Sequence, residues 1–300
     1  MQFSDRTDSI AQVLLSQLQV AIASLLSNCS DRILALPEIP LNRVRDDTQV
    51  VYRSAIALKL SSLCQLPALD LAHKIADNLP TSPRSTLDFT VRVTLPSWID
   101  FQISDRGLAN WLQHLIQPSP RLWHPSPKLG RGVGGEGREV FGNSISDRRL
   151  NSKLPLNFFP VQYAHARCCS LLRLGNSQSL IKIETDANES AYSILEPNPI
   201  PWLHPEGKLY LVHSAERKLI AQLLWLTDEF YGAGEHNWRQ IAIALSHAML
   251  NFHSSCQIWS EVKTQMPELS QARLGLVGLT RSNLRLLLED IFRVPAPVEL

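Results

Sequence analysis

The stretch from Pro118 to Asn157, beginning PSPRLWHPSPKLGRGVGGEGREV, limits the fold more than any other part of the chain. It is rich in proline and glycine, lacks apolar periodicity and carries more basic than acidic side chains. Proline removes a backbone donor and glycine loses the most entropy on ordering, so no core is expected to continue through such a segment. The reading is therefore two units, 1–117 and 158–300, joined by a linker at 118–157. With 300 residues and 44% hydrophobic content, the chain has enough apolar surface for two cores. The linker holds a literal G-x-G-x-x-G at Gly130, Gly132 and Gly135. A phosphate cradle of that kind needs a strand entering and a helix leaving, and the flanking PSPK and GEGRE supply neither.

In the first unit, Ile10, Val13, Leu14, Leu18, Ala21, Ile22 and Leu25 recur at helical spacing behind the caps Asp8 and Ser9. VVYRSAIALKLSSL and PALDLAHKIADNL read as two further helices, the second with Pro67 near its first turn. The period then changes. Phe89, Val91, Val93 and Leu95 alternate with Thr90, Arg92 and Thr94, and WIDFQI repeats the alternation, which predicts a strand pair. Ser104 caps a helix whose stripe is Leu108, Trp111, Leu112 and Leu115. The expected class of this unit is α+β.

The second unit reads as an all-α bundle. Pro160 starts a helix with Val161, Ala164, Cys168, Leu171 and Leu172 inward, and Ser214 caps another bearing Leu219, Ile220, Leu223 and Leu224. A long helix follows with its apolar face running from Trp238 to Trp259. The segment PELSQARLGLVGLTRSNLRLLLEDIF is helical too, although Gly275 and Gly278 weaken the propensity.

Composition removes several function classes. The formal charge is +1, so any nucleic-acid site must come from local clustering. Cys29, Cys64, Cys168, Cys169 and Cys256 contain no C-x-x-C pair and read as buried reduced thiols. The histidines show no H-E-x-x-H or similar spacing, so neither a metal nor another cofactor is expected. No apolar run approaches the roughly 18 residues of a membrane span, and MQFSDRTDS lacks the pattern of a secretory signal, which makes the expected location cytoplasmic.

Few residues carry chemistry. Tyr163 and Arg167 lie four apart and share a helix face beside the apolar stripe. An aromatic for base stacking with a guanidinium for phosphate suits single-stranded RNA, and the same pair suits an ordinary cation–π contact on a solvated surface. His165 reads as a surface or half-buried histidine. Arg281 and Arg285 share a face and can bind phosphate, or be solvated with Glu289 as a salt-bridge partner. Trp98, Asp100 and Gln102 form one face of their strand, opposite Ile99, Phe101 and Ile103. That face can read a flipped-out nucleotide or pack against the first helix.

The segment VQYAHARCCSLLR resembles the opening of the DALR anticodon-binding domain of arginyl-tRNA synthetases, where VQYAHARxxSxLR is characteristic. ALSHAMLNFHSSCQI resembles that domain's helix ending F-Y-x-x-C-x-V, with His253 in the tyrosine position, and QARLGLVGLTRSNL resembles its ARLALVxAxRxxL segment. In the front half, VVYRSAIALKLSSL, PALDLAHKIADNL and VRVTLPSWIDFQIS are similar in order and spacing to the synthetase N-terminal domain. The resemblance implies tRNA as partner, arginine tRNA first among candidates. It places Tyr163 and Arg167 at the anticodon loop, where the Arg281–Arg285 face is expected to add phosphate contacts, and Trp98, Asp100, Phe101 and Gln102 at the D-loop.

There are departures. Asp100 stands where the family has asparagine, so an acceptor replaces a donor-plus-acceptor, and APVEL stands where the family has APERM. The linker replaces the Rossmann-type catalytic domain, and neither its H-x-G-H nor its K-M-S-K-like sequence occurs in the chain. The expectation is a non-catalytic, ATP-independent arginyl-tRNA synthetase paralogue that binds tRNA. The alternative, supported by near-neutral charge and Asp100, is a protein-interaction module docking on a synthetase or another translation component.

Overall fold

The computed structural model describes residues 9–26, 38–44, 46, 49–79, 87–116, 157–185, 192–232 and 236–300. The linker reading, its glycine motif and Cys29 fall outside these residues, Asn157 excepted.

In the first unit, α1 (Ile10–Leu26) buries Ile10, Leu14, Leu18, Ala21 and Ile22, and Ser9 Oγ accepts from Gln12 N at 3.1 Å. The strands β1 (Leu41–Arg43), β2 (Val50–Ser54), β3 (Phe89–Thr94) and β4 (Trp98–Ile103) form an antiparallel sheet in the order β1-β2-β4-β3. Between them lie α2 (Ile56–Cys64) and α3 (Ala68–Asp77), and after them α4 (Asp105–Ile116). Tyr52, Ile99 and Phe101 form a core with Ile56 and Leu60 of α2 and Leu71 and Ile75 of α3. Ser104 caps α4 as expected, its Oγ accepting from Gly107 N at 3.0 Å.

The expected single helix over VVYRSAIALKLSSL is instead a strand followed by a helix. Val50 to Ser54 pair on one side with β1 and on the other with β4, so tertiary ladder bonds at both edges outweigh the helical reading. The alanine- and leucine-rich remainder had obscured a two-residue alternation only five residues long.

The second unit contains α5 (Phe159–Ser177), α6 (Ser214–Tyr231), α7 (Trp238–Ser255), the short α8 (Glu261–Gln265), and α9 (Pro267–Leu286) running into a π turn (Leu287–Ile291). α5 packs along α9 and α6 along α7. The stripe expected on α5 is buried throughout: Val161, Ala164, Cys168, Leu171 and Leu172.

Three details differ from expectation. A hairpin of β5 (Lys182–Thr185) and β6 (Tyr192–Glu196) interrupts the helices; strands this short carry too few residues for a period to register. The helix expected to begin behind a Ser214 cap is capped by His213, whose Nδ1 accepts from Ala215 N at 3.2 Å while Glu216 Oε2 accepts from His213 N at 2.8 Å. The long helix stops at Ser255, leaving Cys256 and Trp259 beyond it. Gly275 has a packing reason: a Cβ there would lie 2.7 Å from the Trp202 ring, so glycine lets the loop before α6 press onto α9.

The units share a seam. The Tyr52 hydroxyl donates to Asp228 Oδ2 at 2.6 Å, Arg43 donates to the Ala221 carbonyl at 2.6 Å, and Gln12 donates to the Tyr231 carbonyl at 2.8 Å. On α4, Gln113 Oε1 accepts from Ile200 N and Trp202 Nε1, both at 2.9 Å, and Asp105 accepts from Leu209 N at 3.2 Å. These bonds tie the sheet, α1 and α4 to α6 and the loop before it.

Candidate nucleic-acid interface

Among the described residues, one edge of α5 stays uncovered. Phe159, Tyr163 and Arg167, at i, i+4 and i+8, follow that edge because the opposite face is occupied by the buried stripe. Phe159 is 57% and Tyr163 42% exposed, and their rings stack with centroids 6.1 Å apart and planes at 21°. Aromatics this exposed leave a ring face available to a planar partner. Phe159 was missed in the sequence, where the helix was read as starting at Pro160.

The end of α7 brings a further residue to this edge. Arg167 donates to His253 Nε2 at 3.3 Å. Burial, and then the Arg167 charge, push the His253 pKa down, so the ring is held neutral with Nε2 as acceptor. The segment 292–299 lies along the neighbouring strip of α5. Gln162 donates to the Pro295 carbonyl at 2.9 Å, His165 Nδ1 to the Pro297 carbonyl at 2.8 Å, and Arg173 pairs with Glu299 at 3.0 Å.

Other expected site residues lie elsewhere. Arg281 is 2% exposed, with its guanidinium 4.4 Å over the Tyr192 ring and its Nε donating to Cys169 Sγ at 3.3 Å. The expectation of an exposed Arg281–Arg285 face is corrected: α9 is buried on nearly every side, so a guanidinium there turns to partners within the bundle. Arg285 pairs with Glu289 at 2.7 Å. His165, expected near the surface, is fully buried.

On the sheet, Asp100 pairs in register with Arg53 on β2 and Arg92 on β3, which sets all three on one face. Arg53 reaches both Asp100 oxygens, at 2.6 and 2.7 Å, and its guanidinium lies 4.1 Å over the Trp98 ring. Thr94 donates to Asp100 Oδ2 at 3.1 Å. The carboxylate is therefore neutralised and oriented within the sheet, while Arg92 stays exposed and Gln102 half-buried. Phe101 belongs to the opposite face, fully buried, with its ring edge-on to Phe89 at 5.7 Å. Its expected place at a nucleotide is corrected: strand alternation sends it into the core.

A cavity of about 770 Å³ opens at the seam, lined by residues including Arg43, Tyr52, Trp225, Asp228 and His236. Several of its polar groups are already hydrogen-bonded: Tyr52 and Arg43 across the seam, and within the second unit Glu229, which accepts from Trp225 Nε1 at 3.0 Å and from His236 Nδ1 at 2.5 Å. Cys168, Cys169 and Cys256 are buried, and burial raises the pKa of each thiol. Among the described residues no group of three or more His, Cys, Asp or Glu could hold a metal ion, and no helix is long and apolar enough to cross a membrane.

Two buried groups set opposed pH dependences. Burial lowers the His165 pKa to about 4, the Pro297 bond opposing and the Arg281 and Arg285 charges reinforcing. The unfolded chain then binds the extra proton between pH 6.5 and 4, so this group's contribution to stability is lost as pH falls through that window. Burial raises Asp228 to about 6, so here the folded chain binds the extra proton, and stability present below pH 3.8 is lost as pH rises to 6. Each effect is on the order of 3 kcal/mol, and in the parent the two offset each other. Urea unfolding from pH 7 to 4 is expected to show Asp228→Asn losing stability more steeply than the parent on acidification, and His165→Gln less steeply. Parallel curves for all three would refute the assignment.

Residues 161–300 match the DALR anticodon binding domain. The chain is similar to the arginine–tRNA ligase of Synechococcus sp. (strain JA-3-3Ab), 32% identical over 183 residues, covering 57% of this chain and 28% of that protein. It is also similar to the arginine–tRNA ligase of Gloeobacter violaceus, 36% identical over 140 residues, covering 45% of this chain and 21% of that protein. The chain thus spans less than a third of the length of these relatives. No solved structure matches.

Proposed function

From a chain whose residues 161–300 match the DALR anticodon binding domain, we propose a protein that binds tRNA without charging it, with arginine tRNA the first candidate. The observation that carries the reading is the exposed edge of α5, where the Phe159 and Tyr163 rings, the Arg167 guanidinium and a neutral His253 adjoin. Stacking on the rings is sequence-tolerant, and the guanidinium adds a charge-assisted bond to phosphate or a base edge. Recognition is the whole mechanism: phosphate contacts position the RNA and loop bases select it. The chain's own residues offer no H-x-G-H or K-M-S-K-like sequence for ATP, so arginine, ATP and tRNA are expected to give no charged product.

On the sheet, Asp100 is spent on Arg53. Trp98 and Gln102 then make a secondary contact to the tRNA elbow, with the exposed Arg92 supplying the positive charge. The same pairing supports a second reading, in which this face docks a protein of the translation apparatus. A salt series separates the two: phosphate neutralisation makes affinity fall steeply with salt, whereas a protein interface of few charges responds weakly.

The direct test is Tyr163→Ala, expected to weaken binding of an anticodon stem–loop RNA by about 1–3 kcal/mol, the usual loss for one base–aromatic stack. Arg167→Ala is expected to weaken it as well and to flatten the salt dependence. If both variants stay folded and bind as the parent does, the RNA reading fails at this site.

A further inference from the structure

Arg293 has the left-handed conformation, with φ at 57°, a region that glycine occupies freely and an arginine does not. Its backbone is pinned from both sides: Phe292 N donates to the Leu287 carbonyl and Val294 N to the Leu288 carbonyl, both at 2.9 Å. The side chains around it lock the segment against the start of α5. The Phe292 ring packs on Phe158 at 4.7 Å, and Gln162 holds the Pro295 carbonyl at 2.9 Å. Arg293 is thus bracketed between contacts to residues 158 and 162, whose next neighbours in the chain are Phe159 and Tyr163. It is exposed, and among the described residues its guanidinium has no ion-pair or hydrogen-bond partner.

We propose that Arg293 is a phosphate-contacting residue of the RNA site, held beside the Phe159–Tyr163 stack so that it meets the backbone of the nucleotide whose base stacks there. The assignment rests on the RNA-binding reading above. A strained backbone persists where its surroundings over-determine it, and this one sets a cation with no partner among the described residues between contacts to Phe158 and Gln162, the chain neighbours of the exposed Phe159 and Tyr163. Cation and ring together are what a single strand requires. A solvated arginine would need no such backbone, and glycine at this position would cost the fold less.

The test uses the full chain and a synthetic anticodon stem–loop of an arginine tRNA, with affinity measured across a salt series. Arg293→Gly relieves the backbone and removes the charge. It is expected to unfold at the same temperature or higher, to bind roughly 3–10-fold more weakly, and to lower the slope of log affinity against log salt by about 0.7–0.9. Arg293→Gln is expected to lose the same affinity, and Arg293→Lys to keep most of it and the parent slope. If Arg293→Gly and Arg293→Gln bind with parental affinity and slope while Tyr163→Ala binds weakly, Arg293 is no phosphate contact, though the RNA reading stands. If the parent itself does not bind, both fall.

Discussion

Replacing Glu216 with alanine is expected to lower the unfolding free energy by about 3–5 kcal/mol, the usual loss when one partner of a buried ion pair is removed. Glu216 is fully buried in the first turn of α6. One oxygen accepts from His213 N and closes the helix cap; the other accepts from Arg273 Nε of α9 at 2.6 Å. Arg273 also donates to the Gln257 carbonyl. Truncation would leave a guanidinium 8% exposed without its carboxylate partner, and the His213 N–H of the α6 cap without its acceptor. Glu216→Gln, which keeps an acceptor for His213 but not the charge, is expected to fall in between. Urea unfolding followed by circular dichroism measures both, and a loss under about 1 kcal/mol for the alanine variant would mean that water substitutes for the carboxylate.

Phe101→Ala is expected to cost about 3–5 kcal/mol through loss of buried area and the cavity left behind. Its ring lies in the sheet core against Phe89, on the opposite face from Asp100. The folded variant is expected to bind anticodon stem–loop RNA as the parent does, since the core of the first unit lies away from α5. Weakened RNA binding without loss of stability would return Phe101 to the nucleotide contact that the family resemblance implied.

Phe101 shows where sequence patterns were sufficient. The stripe of α5, the alternation of β3 and β4 and the Ser104 cap were legible because each depends on neighbours within one or two turns or one strand pair. Strand alternation alone already separated Phe101 from Trp98, Asp100 and Gln102. The resemblance then moved Phe101 to the RNA side, and burial moves it back. Arg281 failed differently. Its spacing from Arg285 suggested a shared exposed face, but no local pattern reveals that α9 is surrounded, with α5 along one side and a ring of Tyr192 waiting for the guanidinium.

The amino-acid sequence by itself determined most of the helices, the DALR-like α5 and the placement of Tyr163 and Arg167 beside, not within, an apolar stripe. Such features follow from chain periodicity, which any folded context must respect. Only the tertiary structure decided that Val50–Ser54 are a strand, that Arg53 neutralises Asp100, that His253 meets Arg167, and that Tyr52 reaches Asp228 across the seam. Each of these joins residues far apart in the chain, through ladder bonds or buried charge. Such partners are chosen by which groups lose water together when the elements pack, a choice that no local spacing records.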